Sequence, residues 1–297
     1  MEAKPIINPI EFEAKKKVLR KEQNKLFVRK IFTNKMLVSG GSIFLFLTLI
    51  SIFGPFIASY GPYEMTVVER LKGPSADHWF GTDNLGRDLF SRVVNGAKVS
   101  MGIGLAVAVI TAVVGSIIGL FSAYYKALDN LLMRICDALM AFPAILLAIA
   151  IMAALGPNTT NVIISLSIVF TPSVARIVRA SALVIREQTY IEAIKSQGAK
   201  SWRIIWLHIA PNTLSPLITQ ATFIFAESII VEAALSFLGV GVPAPDPSWG
   251  NILFDGKLVI FNAWWMIMFP GIFIVLAVLG LNLFGDGLRD LLDPHSA

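Results

Sequence analysis

The side chains best suited to metal or thiol chemistry are few and far apart in this sequence. Cys136 is the only cysteine, and the three histidines are His78, His208 and His295. A lone cysteine cannot form an internal disulfide, and histidines this widely separated do not have the spacing of metal ligands. The sequence therefore predicts no metal site.

Nucleotide chemistry is also not predicted for this chain. The phosphate-binding pattern G-x-x-x-x-G-K-[ST], whose backbone amides and lysine hold the phosphates of ATP, does not occur in the sequence. We expect no bound cofactor and no catalytic residue here. Any ATP and Mg²⁺ on which the protein depends would be bound by partner subunits.

Two acidic residues, Glu227 and Glu232, lie in an otherwise uncharged run. Ionisable residues in such runs are functional candidates, because a charge at the centre of a bilayer costs about 2.5–3.5 kcal/mol. Five residues apart, they are separated by about 140° around a helix, so both cannot face one line. Glu232 is our candidate for facing a translocation pathway. A structural hydrogen bond to a neighbouring helix is an equally good interpretation of Glu232.

The elements that must position these residues are long apolar helices. The chain is 55% hydrophobic and only 15% charged, and its uncharged runs cover residues 36–63, 99–125, 138–175 and 258–285. A membrane helix needs about 20 apolar residues, so these runs favour an all-α integral membrane protein over a soluble helical core. A turn signal at 156–161 divides the third run. We predict six spans: Leu37–Ala58, Val99–Tyr125, Ala138–Leu155, Val162–Val178, Thr213–Leu238 and Trp264–Phe284.

The distribution of basic residues predicts the orientation of these spans. With the N-terminus inside, nineteen of the 25 Lys and Arg residues fall in inner segments, as the positive-inside rule requires. Both termini are therefore expected in the cytoplasm. The resulting organisation is a cytoplasmic basic arm at 1–36, a first transmembrane helix and outer segment at 37–98, a core of five helices at 99–286 with an inner loop at 179–211, and a cytoplasmic tail at 287–297.

The inner loop carries a pair of short helices. Residues 189–198 predict a helix that ends at Gly198, and a second helix is expected to start with Ser201 as its N-cap and to stop before Pro211. The second helix carries Trp202, Ile205, Trp206 and Ile209 at helical spacing. This apolar face could bind a partner protein. It could equally lie on the membrane surface, where tryptophan is favoured.

The spacing in this loop matches a known motif. Glu192 and Ala193 are followed by Gly198 six residues after the glutamate and by Pro211 thirteen after the glycine. This pattern resembles the EAA loop of binding-protein-dependent ABC importer permeases, which inserts into a groove on the ATP-binding subunit. The resemblance implies a coupling role for Glu192, Ala193, Ile194, Gly198, Trp202, Ile209 and Pro211. Two positions depart from the pattern, because Ile194 replaces an alanine and Ala210 replaces the usual leucine.

Three further segments are similar to the dipeptide, oligopeptide and nickel branch of that family, and to its "C" permease. They are residues 80–88 (FGTDNLGRD), residues 235–251, and residues 282–289 with Asp293 and Pro294. The charged residues Asp83, Arg87 and Asp88 favour an internal ion network over contact with a binding protein. In the last outer loop, Pro245 and Trp249 are candidates for contact with the binding protein, and Trp249 could also anchor the loop at the membrane interface.

The resemblance implies a type I importer permease fold with six spans and a bacterial or archaeal cytoplasmic membrane location. It also implies a homologous second permease, two ATP-binding subunits and an extracytoplasmic solute-binding protein as partners. The expected function is translocation of dipeptides, oligopeptides or a related small solute, with a nickel-specific or other solute-specific member of the family as an alternative. An ion-driven secondary carrier is less favoured, because the sequence offers only two poorly aligned glutamates for ion coupling.

Overall fold

Apolar runs that must satisfy their own backbone hydrogen bonds fold as helices, and helices make up almost all of the regular structure described. The computed structural model describes residues 9–292. Its helices in chain order are α1 Pro9–Thr33, α2 Lys35–Ile57, α3 Leu89–Tyr124, α4 Lys126–Met140, α5 Ala144–Leu155, α6 Thr159–Arg186, α7 Thr189–Ser196, α8 Ser201–Phe237, α9 Trp249–Lys257 and α10 Trp265–Leu292. Asp293, Pro294 and His295 lie outside the described residues.

Five of these helices (α2, α3, α6, α8 and α10) are long and apolar enough to cross a membrane. They correspond to predicted spans one, two, four, five and six, which confirms the all-helical fold. Several helices extend past the predicted bounds. Helix α3 begins at Leu89 rather than Val99 because Asp88 caps it, with its Oδ2 accepting a hydrogen bond from Ser91 N at 2.7 Å.

The predicted third span, Ala138–Leu155, is not one helix. It is divided between α4 and α5, which meet at an angle of 94°. Pro143 stands at the break, where it cannot donate a backbone hydrogen bond and disfavours helical geometry in Phe142 before it. With 12 residues, α5 rises about 18 Å, which is too short to cross a bilayer without α4.

The second helix of the inner loop also differs from the prediction. It does not stop before Pro211 but continues as part of α8 to Phe237. The backbone widens to π-helical geometry at Ile204–Ile209 and tightens to 3-10 geometry at Ala210–Thr213, with Pro211 near the start of the 3-10 turn. Proline is tolerated at such a start, where its missing N–H is not needed. Lys200 rather than Ser201 is the N-cap.

The bundle has two different ends. The docking end, as we call it, holds residues 186–213, the start of α2 and the ends of α3 and α10. Hydrogen bonds join these parts: the Asn34 side chain to Gly287 O at 3.4 Å, and the Arg186 guanidinium to Ala123 O at 2.6 Å. The loop end holds the connections at 58–88 and 238–264. The long α3 reaches both ends and packs against α6 and α8.

Close helix packing depends on glycine at the contact between α3 and α6. A Cβ on Gly119 would lie 2.6 Å from Ala175 O of α6, closer than a carbon and an oxygen can approach. A Cβ on Gly40 of α2 would overlap the backbone of α10 near Phe284. Small residues of this kind let membrane helices approach closely and associate by van der Waals contact. This contact matters because the hydrophobic effect does not drive helices together when lipid surrounds them.

Candidate functional site: the docking segment and the loop-end network

Helix α7 and the start of α8 form a helix–turn–helix at the docking end. The turn is made by Gly198, whose φ of +80° lies in the left-handed region that favours glycine. Gly198 N donates to Lys195 O at 3.0 Å, and Ala199 N donates to Ile194 O at 3.3 Å, so the last carbonyls of α7 are satisfied. A Cβ on Gly198 would meet no atom within 4 Å. The constraint on Gly198 is therefore its backbone conformation and not a lack of space.

The predicted coupling residues divide into anchors and exposed residues. Of the predicted residues, Ile209 is buried and Ile194 packs against the core, and together with buried Ile191, which was not predicted, they hold α7 and the start of α8 on the bundle. Glu192 and Ala193 on α7 are exposed to solvent. The exposed side chains that accompany them are Tyr190, Trp202 and Pro211. We call these five residues the docking surface.

Ion pairs join α6, which leads into the docking surface, to helix α4. The Arg179 guanidinium binds both carboxylate oxygens of Asp129, with Nη2 2.6 Å from Oδ2. One helical turn earlier, Arg176 pairs with Asp137. A bidentate guanidinium–carboxylate pair fixes the relative orientation of its two side chains. Movement of α6 at the docking end would therefore carry α4 with it.

At the loop end, Asp83 and Arg87 pair with each other as predicted, whereas Asp88 pairs with His78 instead. Asp83 accepts hydrogen bonds from the Leu85 and Arg87 amides at 2.8 and 2.9 Å, and its Oδ2 lies 2.6 Å from Arg87 Nε. Arg87 Nη2 also reaches Asp255 Oδ2 at 3.3 Å. All three predicted residues are buried, so their side chains are not available to a binding protein in this conformation.

A second group at the loop end surrounds His78. Its Nδ1 lies 2.9 Å from Asp88 Oδ1 and its Nε2 lies 3.1 Å from Glu69 Oε2. Burial by itself lowers the pKa of His78, but the hydrogen bonds and charges of Asp88 and Glu69 outweigh burial and raise the pKa overall. The bond from Lys72 and that from His78 lower the pKa of Glu69. Of this group only Asp88 was predicted as a site residue, because His78 and Glu69 lie outside the recognised segment 80–88.

The last outer loop contains one exposed candidate and one buried candidate. Pro245 is exposed. Trp249 is completely buried, and its Nε1 donates to Val93 O of α3 at 3.1 Å. The expectation that Trp249 anchors the loop at the membrane interface is therefore wrong. Ser248 and Asn251 form a capping box that starts α9 and turns the indole inward.

Glu232 lies inside the bundle and not on an open surface. Its Oε2 accepts a hydrogen bond from Ser100 of α3 at 2.9 Å, and its Oε1 accepts one from Ser236 at 2.8 Å. Its side chain is fully buried. The structure thus shows the structural hydrogen bond and gives no support for Glu232 as a pathway residue. Glu227, which the sequence analysis did not choose, is exposed instead.

Two cavities of about 400 Å³ lie between helices. The first, of about 390 Å³, is apolar and lies between α3, α4 and α6, with Cys136 in its wall. The second, of about 410 Å³, lies near the docking end between α6, α8 and α10 and is lined in part by Ser215, Thr219, Gln220 and Arg289. Within residues 9–292, no group of three or more His, Cys, Asp or Glu side chains could hold a metal ion.

Comparison with known families and proteins gives consistent matches. Residues 111–296 match the family described as binding-protein-dependent transport system inner membrane component. Residues 23–74 match the N-terminal TM domain of oligopeptide transport permease C.

Several curated proteins are similar over most of their length. A putative peptide transport system permease of Brucella abortus is 50% identical over 91% of both chains. A dipeptide transport system permease of Alkalihalophilus pseudofirmus is 46% identical over 90% of this chain and 88% of its own. A glutathione transport system permease of Escherichia coli is 43% identical over 90% of this chain and 89% of its own.

Among solved structures, an inward-facing MetNI methionine ABC transporter chain matches with a TM-score of 0.56. The two chains are 19% identical, and the match covers 68% of this chain and 96% of the other. At this identity the match concerns the fold, which is that of a type I importer permease.

Proposed function

Since this chain belongs to the binding-protein-dependent transport system inner membrane components, it is a permease subunit of an ABC importer, and we propose that the solute it carries is a peptide. The observation that carries the proposal is similarity at 43–50% identity to permeases named for peptides, dipeptides and glutathione. The match of residues 23–74 to oligopeptide permease C supports it independently. A nickel complex or another small solute remains the alternative.

In the proposed assembly, this permease pairs with a homologous second permease. Two ATP-binding subunits act from the cytoplasm and bind ATP and Mg²⁺, and an extracytoplasmic protein delivers the solute. The sequence contains no phosphate-binding loop, which supports the assignment of ATP binding to the partner subunits. The docking surface supports it too, because Glu192 and Ala193 are exposed beside firmly anchored isoleucines.

Coupling would work as a two-state switch. ATP-bound and ATP-free partner subunits bind preferentially to different arrangements of the bundle. The free energy by which a partner shifts the equilibrium between two arrangements equals the difference between its binding free energies for them. The docking surface receives the movement, and α8 carries it toward the loop end because Trp202 and Pro211 lie in the same continuous helix, Ser201–Phe237. The solute would then be exposed alternately to the two sides of the membrane.

For the orientation, we propose that the docking end and both termini are cytoplasmic. Nineteen of the 25 Lys and Arg residues fall on that side. The hydrogen bonds from Asn34 to Gly287 and from Arg186 to Ala123 support the grouping of these segments at one end.

The test is purification of the tagged chain from its native membrane in mild detergent, followed by reconstitution into proteoliposomes. We expect a second permease and ATP-binding subunits to copurify, and the complex to take up a labelled dipeptide only when ATP is supplied on the docking side. Glu192→Lys should lose the ATP-binding subunits while Glu64→Gln, at the loop end, should retain them. Uptake driven by an ion gradient without ATP would contradict the proposal and favour a secondary carrier.

A further inference from the structure

Helix α8 has one open face in its membrane-spanning part. Of the 24 residues Leu214–Phe237, 11 are buried, and the helix packs against α3, α6 and α10. The exceptions that recur along one line at helical spacing are Gln220, Phe223, Glu227 and Ile230, which are half-buried or exposed. We call this line the open face of α8.

Glu227 is the charged residue at the middle of the open face. It stands thirteen residues after Leu214 and ten before Phe237, so it lies near the centre of the span. Its side chain is exposed and makes no hydrogen bond or ion pair with any residue in the described range 9–292. A charge in that position facing lipid costs about 2.5–3.5 kcal/mol on insertion scales. Water or a cationic group therefore suits the open face better than lipid does.

The open face also continues into a cavity with a partly polar wall. Gln220 lies two helical turns before Glu227, nearly in line with it, and donates to Ser173 Oγ of α6 at 2.9 Å. Gln220 is also in the wall of the 410 Å³ cavity, together with Ser215, Thr219 and Arg289. Polar groups thus extend from the middle of the span toward the docking end. Such a line suits the route of a hydrated solute better than a contact that only seals two proteins together.

We propose that the open face of α8 lines the translocation pathway and that the Glu227 carboxylate binds the ammonium group of the passing peptide. The inference rests on the proposed function and adds to it the residue that selects for a cationic end group. A peptide presents an ammonium at its first residue, and a lone carboxylate in a medium of reduced dielectric constant is complementary to it. The partner is transient, which explains why Glu227 has no fixed counter-ion among residues 9–292.

The first experiment measures whether position 227 is in contact with water in the assembled transporter. The chain has a single cysteine, Cys136, so a Cys136→Ala background provides a chain without thiols. In that background, Glu227→Cys and Ile230→Cys should react with a charged, membrane-impermeant thiol reagent in the full complex. Val275→Cys, at an exposed position on the apolar helix α10, serves as the matched control and should react at least tenfold more slowly, as expected of a position in contact with lipid.

The second experiment measures the role of the charge. The reconstituted complex is assayed for ATP-dependent uptake of labelled dialanine, with the same binding protein in every sample. We expect Glu227→Gln to lower uptake about tenfold, which corresponds to loss of one charge-assisted hydrogen bond. Glu227→Asp, which keeps the carboxylate, should remain within threefold of the unchanged protein. ATP hydrolysis stimulated by the unloaded binding protein should be equal in both variants.

The outcomes separate this inference from the function on which it rests. An unreactive Glu227→Cys, or normal uptake by Glu227→Gln, would overturn the inference while the importer function stands. Loss of the second permease from the Glu227→Gln complex would also overturn it, because the carboxylate would then belong to the contact between subunits. If the unchanged complex takes up no dialanine, the proposed peptide substrate fails, and the thiol reaction still decides whether the open face lines a pathway.

Discussion

At the scale of single residues, the charges outside the membrane spans divide into those that stabilise this chain and those left for partners. At the loop end, buried Asp83 and Arg87 bond to each other, and buried Asp88 bonds to His78 and to the Ser91 amide. At the docking end, Glu192 is exposed. Burying a charge pair costs desolvation that only good geometry offsets, so the loop-end network specifies structure.

The group around His78 predicts a dependence of stability on pH. Because the pKa of His78 is raised in the folded protein, its stabilisation is fully present below the unfolded value near 6.5 and is lost as the pH rises through the folded value. We expect His78→Gln to lower the melting temperature of the purified complex by several degrees more at pH 6 than at pH 8.5. An equal loss at both pH values would show that the imidazolium charge contributes nothing.

At the scale of elements, the sequence predicted most helices because long uncharged runs leave few alternatives. It failed where the outcome depends on local backbone geometry. Pro143 breaks a predicted span, whereas Pro172 and Pro270 lie within continuous helices. Pro211 was expected to end a helix but is accommodated by π and 3-10 turns. Proline alone does not show whether neighbouring residues can satisfy the carbonyl groups that it leaves free.

Only part of the candidate site could be predicted from the sequence. The docking segment was predicted because its glycine, its flanking helices and its spacing are local features. Ser100 and Val93 of α3, which bond to Glu232 and Trp249, lie more than one hundred residues away from them, so no local pattern predicts these contacts. The 140° between Glu227 and Glu232 did predict that only one could face a pathway. Burial then shows that Glu232 is the internal residue.

The turn between α7 and α8 gives a prediction at this scale. Valine at position 198 would have to adopt a φ near +80°, which costs a β-branched residue about 1–3 kcal/mol. We expect Gly198→Val to insert and assemble but to lose ATP-dependent uptake, since the docking surface would be distorted.

The control for that variant is Gly198→Asn, because asparagine tolerates left-handed geometry and should keep most of the uptake. Nothing lies within 4 Å of a Cβ at this position, so neither side chain causes a clash in the isolated chain. Normal transport by the valine variant would contradict the coupling role of the turn.

At the scale of the whole molecule, the bundle is held together by the packing of α3 on α6 and α8, and of α2 on α10. Backbone contact at glycine replaces side-chain interdigitation at several of these crossings. Lipid tails are as apolar as the side chains, so moving a side chain from lipid to a helix contact gains little free energy. Close backbone contact is therefore a main source of association between the helices.

A pair of variants on α3 tests this account. Leucine at Gly119 would overlap Ala175 of α6 and should separate the two helices, so that little folded protein is recovered from the membrane. Leucine at Gly102 on the same helix meets no atom within 4 Å and should be recovered at the normal level. The measurement is the yield of monodisperse protein after size-exclusion chromatography. Equal yields would show that the α3–α6 contact does not limit folding.

The continuity of α8 through Pro211 has a mechanical consequence. A helix broken at the proline would let the ATP-binding subunits move the docking surface without disturbing the span. Because α8 is an unbroken helix of 37 residues, Trp202 at one end and Glu227 in the middle belong to the same element and move together. Since successive residues are separated by about 100° around the helix, a rotation of α8 about its axis by less than 100° would move the Glu227 carboxylate toward or away from the proposed pathway. In the proposed importer, a movement at the docking surface would therefore reach Glu227 with no hinge between them.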